Sequence, residues 1–501
     1  MSKKIQGIAL IVFFAVFFFG LVWSAIVPPN NEAPDEAAHL QMVYFLKTHQ
    51  KIPVFNNEVD LPYLVFDKKM LSGAYYSMAY NSPLSYLPYV PFARSTLEEN
   101  TKNNLLPLRA ISTVFVSLFA IFLFAGLVNI SDKKPLLVAS ITLFFSLMPQ
   151  VIFSAGYLNI EPIALFLSAL SFYLLTCIYK DRNIILYILF GMSLGLLALC
   201  KANYLVLVLS LGLYSIYNLS TDTKLKFQGK IIRFLSIIAP VLLLNAWWWI
   251  RNYSLYHDPI IFNYIQNLII KEAPPWFSPP KNSGFNIFSI FFKSDFAKYG
   301  YGGFYAGLGG ANIFLPLIFY VLFYVTLFLG FILSIYRSIF NKKLRVLIYG
   351  SALVLALNLL LFGYKNLSDF SPQGRHFFPM IPIVALLLFL GFEKIKSKIP
   401  MVTILFFSIF ASIYSLILLI NNYFVFGTAY TMAGNSDNIA DGFSWQIMRW
   451  GNYLNLIDTV FNGNSKLFSV YLTLAYFLLF LILVATLIIW ICKTKKWQET
   501  N

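Results

Sequence analysis

The chain has 501 residues, of which 59% are hydrophobic and only 12% charged, with 51 Phe and 31 Tyr. Soluble domains of this length carry about twice that charged fraction, so the composition excludes a soluble fold. The formal charge of +16 does not point to nucleic acid, because the lysines cluster in short segments between apolar runs.

Apolar runs of roughly 20 residues, each enough to cross a hydrocarbon layer of about 30 Å, recur along the whole length. Twelve candidate spans start near residues 5, 106, 135, 158, 183, 202, 231, 313, 344, 377, 400 and 468. The first, residues 5–27, follows Lys3 and Lys4. It is longer than a signal-peptide core and has no small-x-small cleavage site before Pro28-Pro29, which predicts a retained anchor. With a cytoplasmic N-terminus, alternate short connections should be basic. They are: Asp132-Lys133-Lys134, Lys180-Asp181-Arg182, residues 224–233, 341–345 and 393–398, and the tail 493–496. Together with the N-terminus these segments hold more than half of the 37 Lys and Arg residues.

The expectation is an all-α integral membrane protein of about 12 transmembrane helices, one polytopic domain over residues 1–501, with both termini cytoplasmic. Its outer-face loops would cover roughly 28–105, 251–312, 364–376 and 422–467. The three long ones are rich in Tyr, Asn and Pro and are expected to pack together over a cavity, since irregular loops of such length are usually functional or disordered. Cys177, Cys200 and Cys492 fall inside apolar runs, which gives no disulfide framework or zinc pattern. No internal repeat or matched pair of Gly/Pro-broken spans marks an inverted-repeat transporter.

In chain order, the first cluster with chemistry is Pro34-Asp35-Glu36-Ala37-Ala38-His39, directly after the first span. Pro34 suits a first helical turn, with Asp35 and Glu36 near its positive end. On such a helix His39 lies four residues from Asp35 and three from Glu36, so all three can share one face. An apolar stripe of Leu40, Val43, Tyr44 and Leu46 would then lie along the membrane surface. Arg109, Glu161 in Asn159-Ile160-Glu161-Pro162 and Lys201 in Cys200-Lys201-Ala202-Asn203-Tyr204 are ionisable residues close to the same edge of the spans. Such residues are functional candidates, or they pair with each other. Trp247-Trp248-Trp249-Ile250-Arg251-Asn252 ends a span with an interfacial belt, and Arg251 and Asp258 are either site residues or loop clasps. The glycines between 300 and 310 lack the strand and βαβ context of a dinucleotide site and predict a tight loop. Last, Ser371-Pro372-Gln373-Gly374-Arg375-His376 puts Arg375 at a helix start, a natural phosphate site; an arginine snorkelling to headgroups is the alternative.

Together, Pro34-Asp35-Glu36-x-x-His39, Lys201-Ala202-Asn203-Tyr204-Leu205, Arg251-Asn252 with Asp258-Pro259, and Gln373-Gly374-Arg375 resemble a bacterial multi-spanning family grouped with the GT-C glycosyltransferases. The likeness covers nearly the whole chain in the expected order. Two positions depart from the pattern: His376 stands where tyrosine is usual, and Glu161 stands where an Asn-x-Asp is common. The resemblance implies transfer of a sugar from a polyprenyl-phosphate donor to a glycan, lipid or protein acceptor outside the cytoplasm, in the cell membrane. It implies Asp35, with Glu36 beside it, as base or metal ligand. His39, Arg375, His376, Lys201, Arg251, Glu161, Arg109 and Asp258 are the substrate-binding candidates. Asp35, Glu36 and His39 offer part of a shell for a divalent ion such as Mg or Mn. No nucleotide cofactor and no nucleic acid are expected. Other readings are a transporter or flippase of lipid-linked sugars, and a surface polysaccharide polymerase or ligase.

Overall fold

The computed structural model describes residues 2–27, 33, 35–54, 81–93, 105–131, 133–265, 267, 278–293, 295–309, 313–368, 371–422 and 470–493. Fourteen helices carry the architecture. They are α1 (Lys3–Ile26), α2 (Glu36–His49), α3 (Leu105–Ile130), α4 (Pro135–Ser146), α5 (Pro149–Ala155), α6 (Glu161–Lys180) and α7 (Ile184–Cys200). Then come α8 (Leu205–Thr221), α9 (Phe227–Tyr256), α10 (Leu317–Phe340), α11 (Lys342–Ser368), α12 (Ile381–Phe392), α13 (Ile399–Ile420) and α14 (Val470–Lys493). Among the described residues the only sheet is a two-stranded antiparallel pair, Gly307–Leu308 against Ile313–Phe314.

Local sequence explains where these helices begin. Ser2 accepts from the Ile5 N–H at 3.4 Å, and Asn183 accepts from the Ile185 N–H at 3.0 Å, so each caps the helix that follows. Pro135, Pro149 and Pro162 occupy first-turn positions, where a missing N–H costs nothing. Among the described residues ten helices are long and apolar enough to cross a membrane, which makes the chain a multi-pass membrane protein. The other two expected spans differ. The one near residue 135 is broken between α4 and α5 by a bend of 69°. Pro149 disfavours helical geometry in the residue before it, and the Ser412 hydroxyl donates to the Leu147 carbonyl that the break leaves free. The one near residue 183 is α7, whose 17 residues give only about 25 Å.

Burial sorts the helices. In the most apolar stretch of residues 374–392, 83% of positions are buried within the protein, against 17% for α9. The first is a central element. The second turns Leu243 and Ile250 outward, as lipid-facing positions require. Alternate ends of the helices gather at two faces. At one face the basic connections interlock: Arg182 pairs with Asp222, Arg337 with Glu393, and Lys134 donates to the Ile395 carbonyl. The opposite face carries α2, the α5–α6 turn, the α7–α8 turn and the segment before α12. The expected outer loop at 422–467 lies almost wholly outside the described residues, as do parts of the first two.

Two glycine contacts hold the central element. Gly391 of α12 lies so close to α10 that an added Cβ would meet the Gly330 carbonyl oxygen at 2.3 Å, the close approach that small residues permit. Gly374 is tighter still, since a Cβ there would fall 1.8 Å from the Phe304 nitrogen. The glycine-rich segment is thus a compact turn, Gly303–Ala306 followed by the small hairpin, pressed against the residues that lead into α12. The Gly307 N–H donates to Gln150 of α5 at 2.8 Å, tying the hairpin to the broken helix. Gly374→Ala should therefore lower the thermal midpoint of the purified protein by an amount equivalent to at least ~2 kcal/mol. Gly212→Ala, at a helical position with open space around it, should leave the midpoint unchanged or raise it slightly. Equal midpoints for the two variants contradict the packing argument.

Candidate active site

The site is built on a buried arginine. Arg109, in the first turns of α3, is inaccessible and holds Glu36 through two parallel bonds, Nε to Oε1 at 2.8 Å and Nη2 to Oε2 at 2.6 Å. Its Nη1 donates to the Ser24 carbonyl at 3.0 Å and to the Val27 carbonyl at 2.6 Å, two acceptors that the C-terminal end of α1 leaves over. Glu36, 1% exposed, also accepts from the Leu158 N–H at 2.9 Å. One ion pair thus joins the end of α1, the start of α2, α3 and the α5–α6 turn.

Asp35, one residue earlier, faces elsewhere. Its backbone is left-handed at φ +62° and its side chain caps nothing, although it precedes the first residue of α2. An N-cap aspartate normally has extended backbone and bonds to the second or third helical N–H. The left-handed conformation costs about 1 kcal/mol for a non-glycine residue. What it achieves is direction, because the carboxylate reaches Arg375 Nη2 at 2.7 Å across 340 residues of sequence. Arg375 is aimed in turn by Gln373, which accepts from its Nε at 2.6 Å. The pair stays partly open, at 28% exposure for Asp35 and 15% for Arg375.

The electrostatics favour an ionised Asp35. Burial pushes its carboxyl up, but the charge and hydrogen bond of Arg375 outweigh that and hold it below the ordinary carboxylate value, with smaller help from Lys201. Burial drives His39 down to about 3 against the pull of Asp35, so its imidazole is neutral at physiological pH and adds little charge. His39 Nδ1 bonds the Tyr86 hydroxyl at 2.9 Å. The one-face arrangement expected for Asp35, Glu36 and His39 is therefore corrected. Asp35 lies outside the helix, and the three side chains go to Arg375, Arg109 and Tyr86. The apolar stripe of α2 is likewise not spread on a membrane surface, since Leu40, Val43 and Leu46 are in the buried core.

Glu161 and Lys201 form an ion pair between the start of α6 and the end of α7. Burial lowers the Lys201 ammonium, partly offset by Glu161, and both Glu161 and Arg375 act on it electrostatically. The remaining candidates have structural partners. Asp258 accepts from the N–H groups of Ile260, Asn263 and Tyr264 at 3.2, 2.7 and 3.2 Å, a loop clasp. Arg251 stacks over Trp248 at 5.1 Å and donates to the Pro53 carbonyl at 2.8 Å. His376 packs edge-on against Phe362. Among the described residues no three His, Cys, Asp or Glu side chains converge as metal ligands. Asp35, Glu36 and His39 each have another partner, so they do not fit a divalent-ion shell.

Sequence reasoning missed Tyr86, which holds His39, and Tyr89, whose hydroxyl donates to the Asn159 carbonyl at 3.0 Å and meets Ser112 at 3.1 Å. Both are buried among 31 tyrosines that no local pattern separates. Ser85 adds a third anchor to the same segment, donating to the Cys200 carbonyl at 2.8 Å.

Comparison with known families bears out the GT-C resemblance. The profile of the dolichyl-phosphate-mannose-protein mannosyltransferase family, one of the GT-C superfamily, matches residues 78–257. That stretch is a little over a third of the chain and contains Tyr86, Arg109, Glu161, Lys201 and Arg251. No curated protein matches the chain.

Breaking the Arg109–Glu36 pair from one side strands a buried charge, which typically costs 3–5 kcal/mol. Arg109→Leu should therefore lower the thermal midpoint by several degrees or abolish recovery of the protein. The double change Arg109→Leu with Glu36→Leu should recover most of that loss in thermal melts. Additive losses in the double variant argue against the pairing.

Proposed function

We propose that this GT-C-type membrane glycosyltransferase moves a sugar from a polyprenyl-phosphate donor to a hydroxyl of an extracytoplasmic glycan, lipid or protein, with Asp35 as base and Arg375 as phosphate ligand. The observation that carries the reading is the Asp35–Arg375 contact at 2.7 Å, which stays partly accessible and which this reading takes as the wall of a substrate crevice. Both residues lie outside the matched stretch 78–257, but Lys201, within it, acts on both Asp35 and His39. The basic connections at the opposite face support a cytoplasmic position for that face, and in this reading the Asp35–Arg375 pair then faces the outer leaflet of the cell membrane. The ionisable residues of the crevice sit at helix ends. That suits chemistry at the interface better than carriage of a charged cargo through the bundle.

The reaction is a displacement at the anomeric carbon. The acceptor hydroxyl gives its proton to the Asp35 carboxylate while its oxygen bonds to the anomeric carbon. The bond from that carbon to the phosphate oxygen breaks, and polyprenyl phosphate leaves with one more negative charge. Arg375, a fork that fits a phosphate with two parallel bonds, takes up that charge, and Lys201 strengthens the positive field. Glu36 serves as the anchor that holds Asp35 in place, so the two adjacent carboxylates divide the work.

The pair also orders the events. A carboxylate bonded to a guanidinium is a weak base. A donor phosphate that engages Arg375 competes with Asp35 for it, and burial then raises the released carboxyl toward a value useful for proton abstraction. Donor binding thus arms the base.

Asp35→Asn should lower turnover at least about a thousandfold while leaving donor affinity equal or tighter, because Arg375 loses its internal competitor. Arg375→Ala should weaken donor binding by an order of magnitude or more. Unchanged turnover in Asp35→Asn, with polyprenyl-phosphate sugar cleavage as the assay, removes Asp35 from the role of base. The pH profile gives an independent check. In the free enzyme the Asp35 carboxyl is held below its ordinary value, so kcat/KM for donor should fall only at low pH. In the donor complex the carboxyl is raised, and the acid limb of kcat should lie at higher pH. Coincident limbs contradict the arming step.

A further inference from the structure

Beside the reacting pair lies a second set of polar atoms that the mechanism leaves unused. Glu161 is 1% exposed; its Oε1 is taken by Lys201, and its Oε2 has no hydrogen-bond partner in the protein. Tyr204 is fully buried against Glu161, and its hydroxyl has no partner beyond that carboxylate. Asn203, the residue between Ala202 and Tyr204 in the same turn, leaves both its amide nitrogen and its amide oxygen inaccessible and unpartnered. Four such atoms on three residues, two of them adjacent, are unusual, because buried polar groups are nearly always paired. In a membrane protein the cost is felt more strongly, since hydrocarbon offers no substitute partners. Were Tyr204 to bond Glu161 directly, the Asn203 amide would still be left over.

The chemistry of the set is specific. A carboxylate oxygen accepts, a phenol donates and accepts, and an amide does both. Neighbouring sugar hydroxyls, each a donor and an acceptor, are the natural complement. With the Glu161 charge already balanced by Lys201, the set favours a neutral sugar over an acidic one. Lys201 keeps 18% of its side chain accessible and is coupled to Asp35, His39 and Arg375, which puts the set next to the crevice.

We propose that Glu161, Asn203 and Tyr204 form the subsite that holds the hydroxyls of the transferred sugar and so select a neutral sugar. This rests on the donor reading above but concerns different residues and a different part of the donor. Lys201 positions Glu161 and spans the distance to the phosphate side. The departure from Asn-x-Asp to Glu at position 161 then lengthens the reach of the carboxylate by one methylene and alters which hydroxyl it meets.

The test uses the full-length purified protein in detergent, with polyprenyl phosphate and with polyprenyl-phosphate glucose, mannose and galactose, each with its monodeoxy forms. Binding is read by calorimetry, independently of turnover. The wild type should bind one hexose donor at least tenfold more tightly than polyprenyl phosphate and should lose on the order of tenfold for one or more deoxy forms. Tyr204→Phe, which removes only the hydroxyl, should abolish the discrimination for a particular deoxy form while leaving polyprenyl phosphate binding unchanged, and Glu161→Gln, which keeps the shape, should abolish it for a particular deoxy form as well. Two results overturn the subsite: a wild type that gains nothing from any attached hexose, or variants that keep the wild-type ranking of every deoxy donor. Either leaves the Asp35 and Arg375 roles standing, since those are read from turnover of Asp35→Asn and from phosphate binding by Arg375→Ala.

Discussion

The Arg109 guanidinium is the constraint on which the site depends. It meets two carbonyls at the end of α1 and both oxygens of Glu36, and the Leu158 N–H completes the set. A charge this deep is tolerated only when each donor has a partner. Any movement of α2 away from α1 would strand either the guanidinium or the carboxylate. The start of α2 is therefore fixed to within the tolerance of a hydrogen bond, and Asp35, adjacent in sequence, inherits that precision. Catalytic geometry of this kind needs support from neighbours whose own positions are locked. Here the support comes from the preceding and following helices as well as the central turn.

Among the described residues three ion pairs surround the site: Arg109 with Glu36, Arg375 with Asp35, and Lys201 with Glu161. They differ in how much they concede to a ligand. The first is sealed and is saturated by backbone groups. The second is partly accessible and has a neutral histidine at its flank. The third is buried on the carboxylate side and partly open on the ammonium side. A graded series from closed to open suits the proposed reaction, in which the floor must be rigid and the upper wall must accept a phosphate.

Much of the architecture was legible in the chain. Every one of the twelve apolar runs became a helix or a helix pair, because length and hydropathy alone dictate that outcome in lipid. The alternation of basic connections was equally readable, and the structure groups several of them at one face through Arg182, Arg337 and Lys134. The bend before Pro149 and the shortness of α7 were less so, since both depend on packing that hydropathy does not encode. For the site, the residue types were found but not their grouping. Helical spacing placed Asp35, Glu36 and His39 on one face, and it failed because Asp35 adopts a left-handed backbone that periodicity cannot foresee. The Asp35–Arg375 contact joins positions 340 residues apart and is a property of the tertiary structure alone. Tyr86 carried no signal among so many tyrosines.

The left-handed geometry at position 35 has an implication for how freely this position can vary. Positive φ is readily adopted by Gly, Asn and Asp and resisted by longer side chains. Of those three, only Asp can accept a proton as a carboxylate. The local peptide conformation and the proton acceptor that the proposed reaction calls for thus converge on one amino acid from unrelated directions. Even a conservative exchange to Glu would meet a barrier in the main chain before its longer arm came into play.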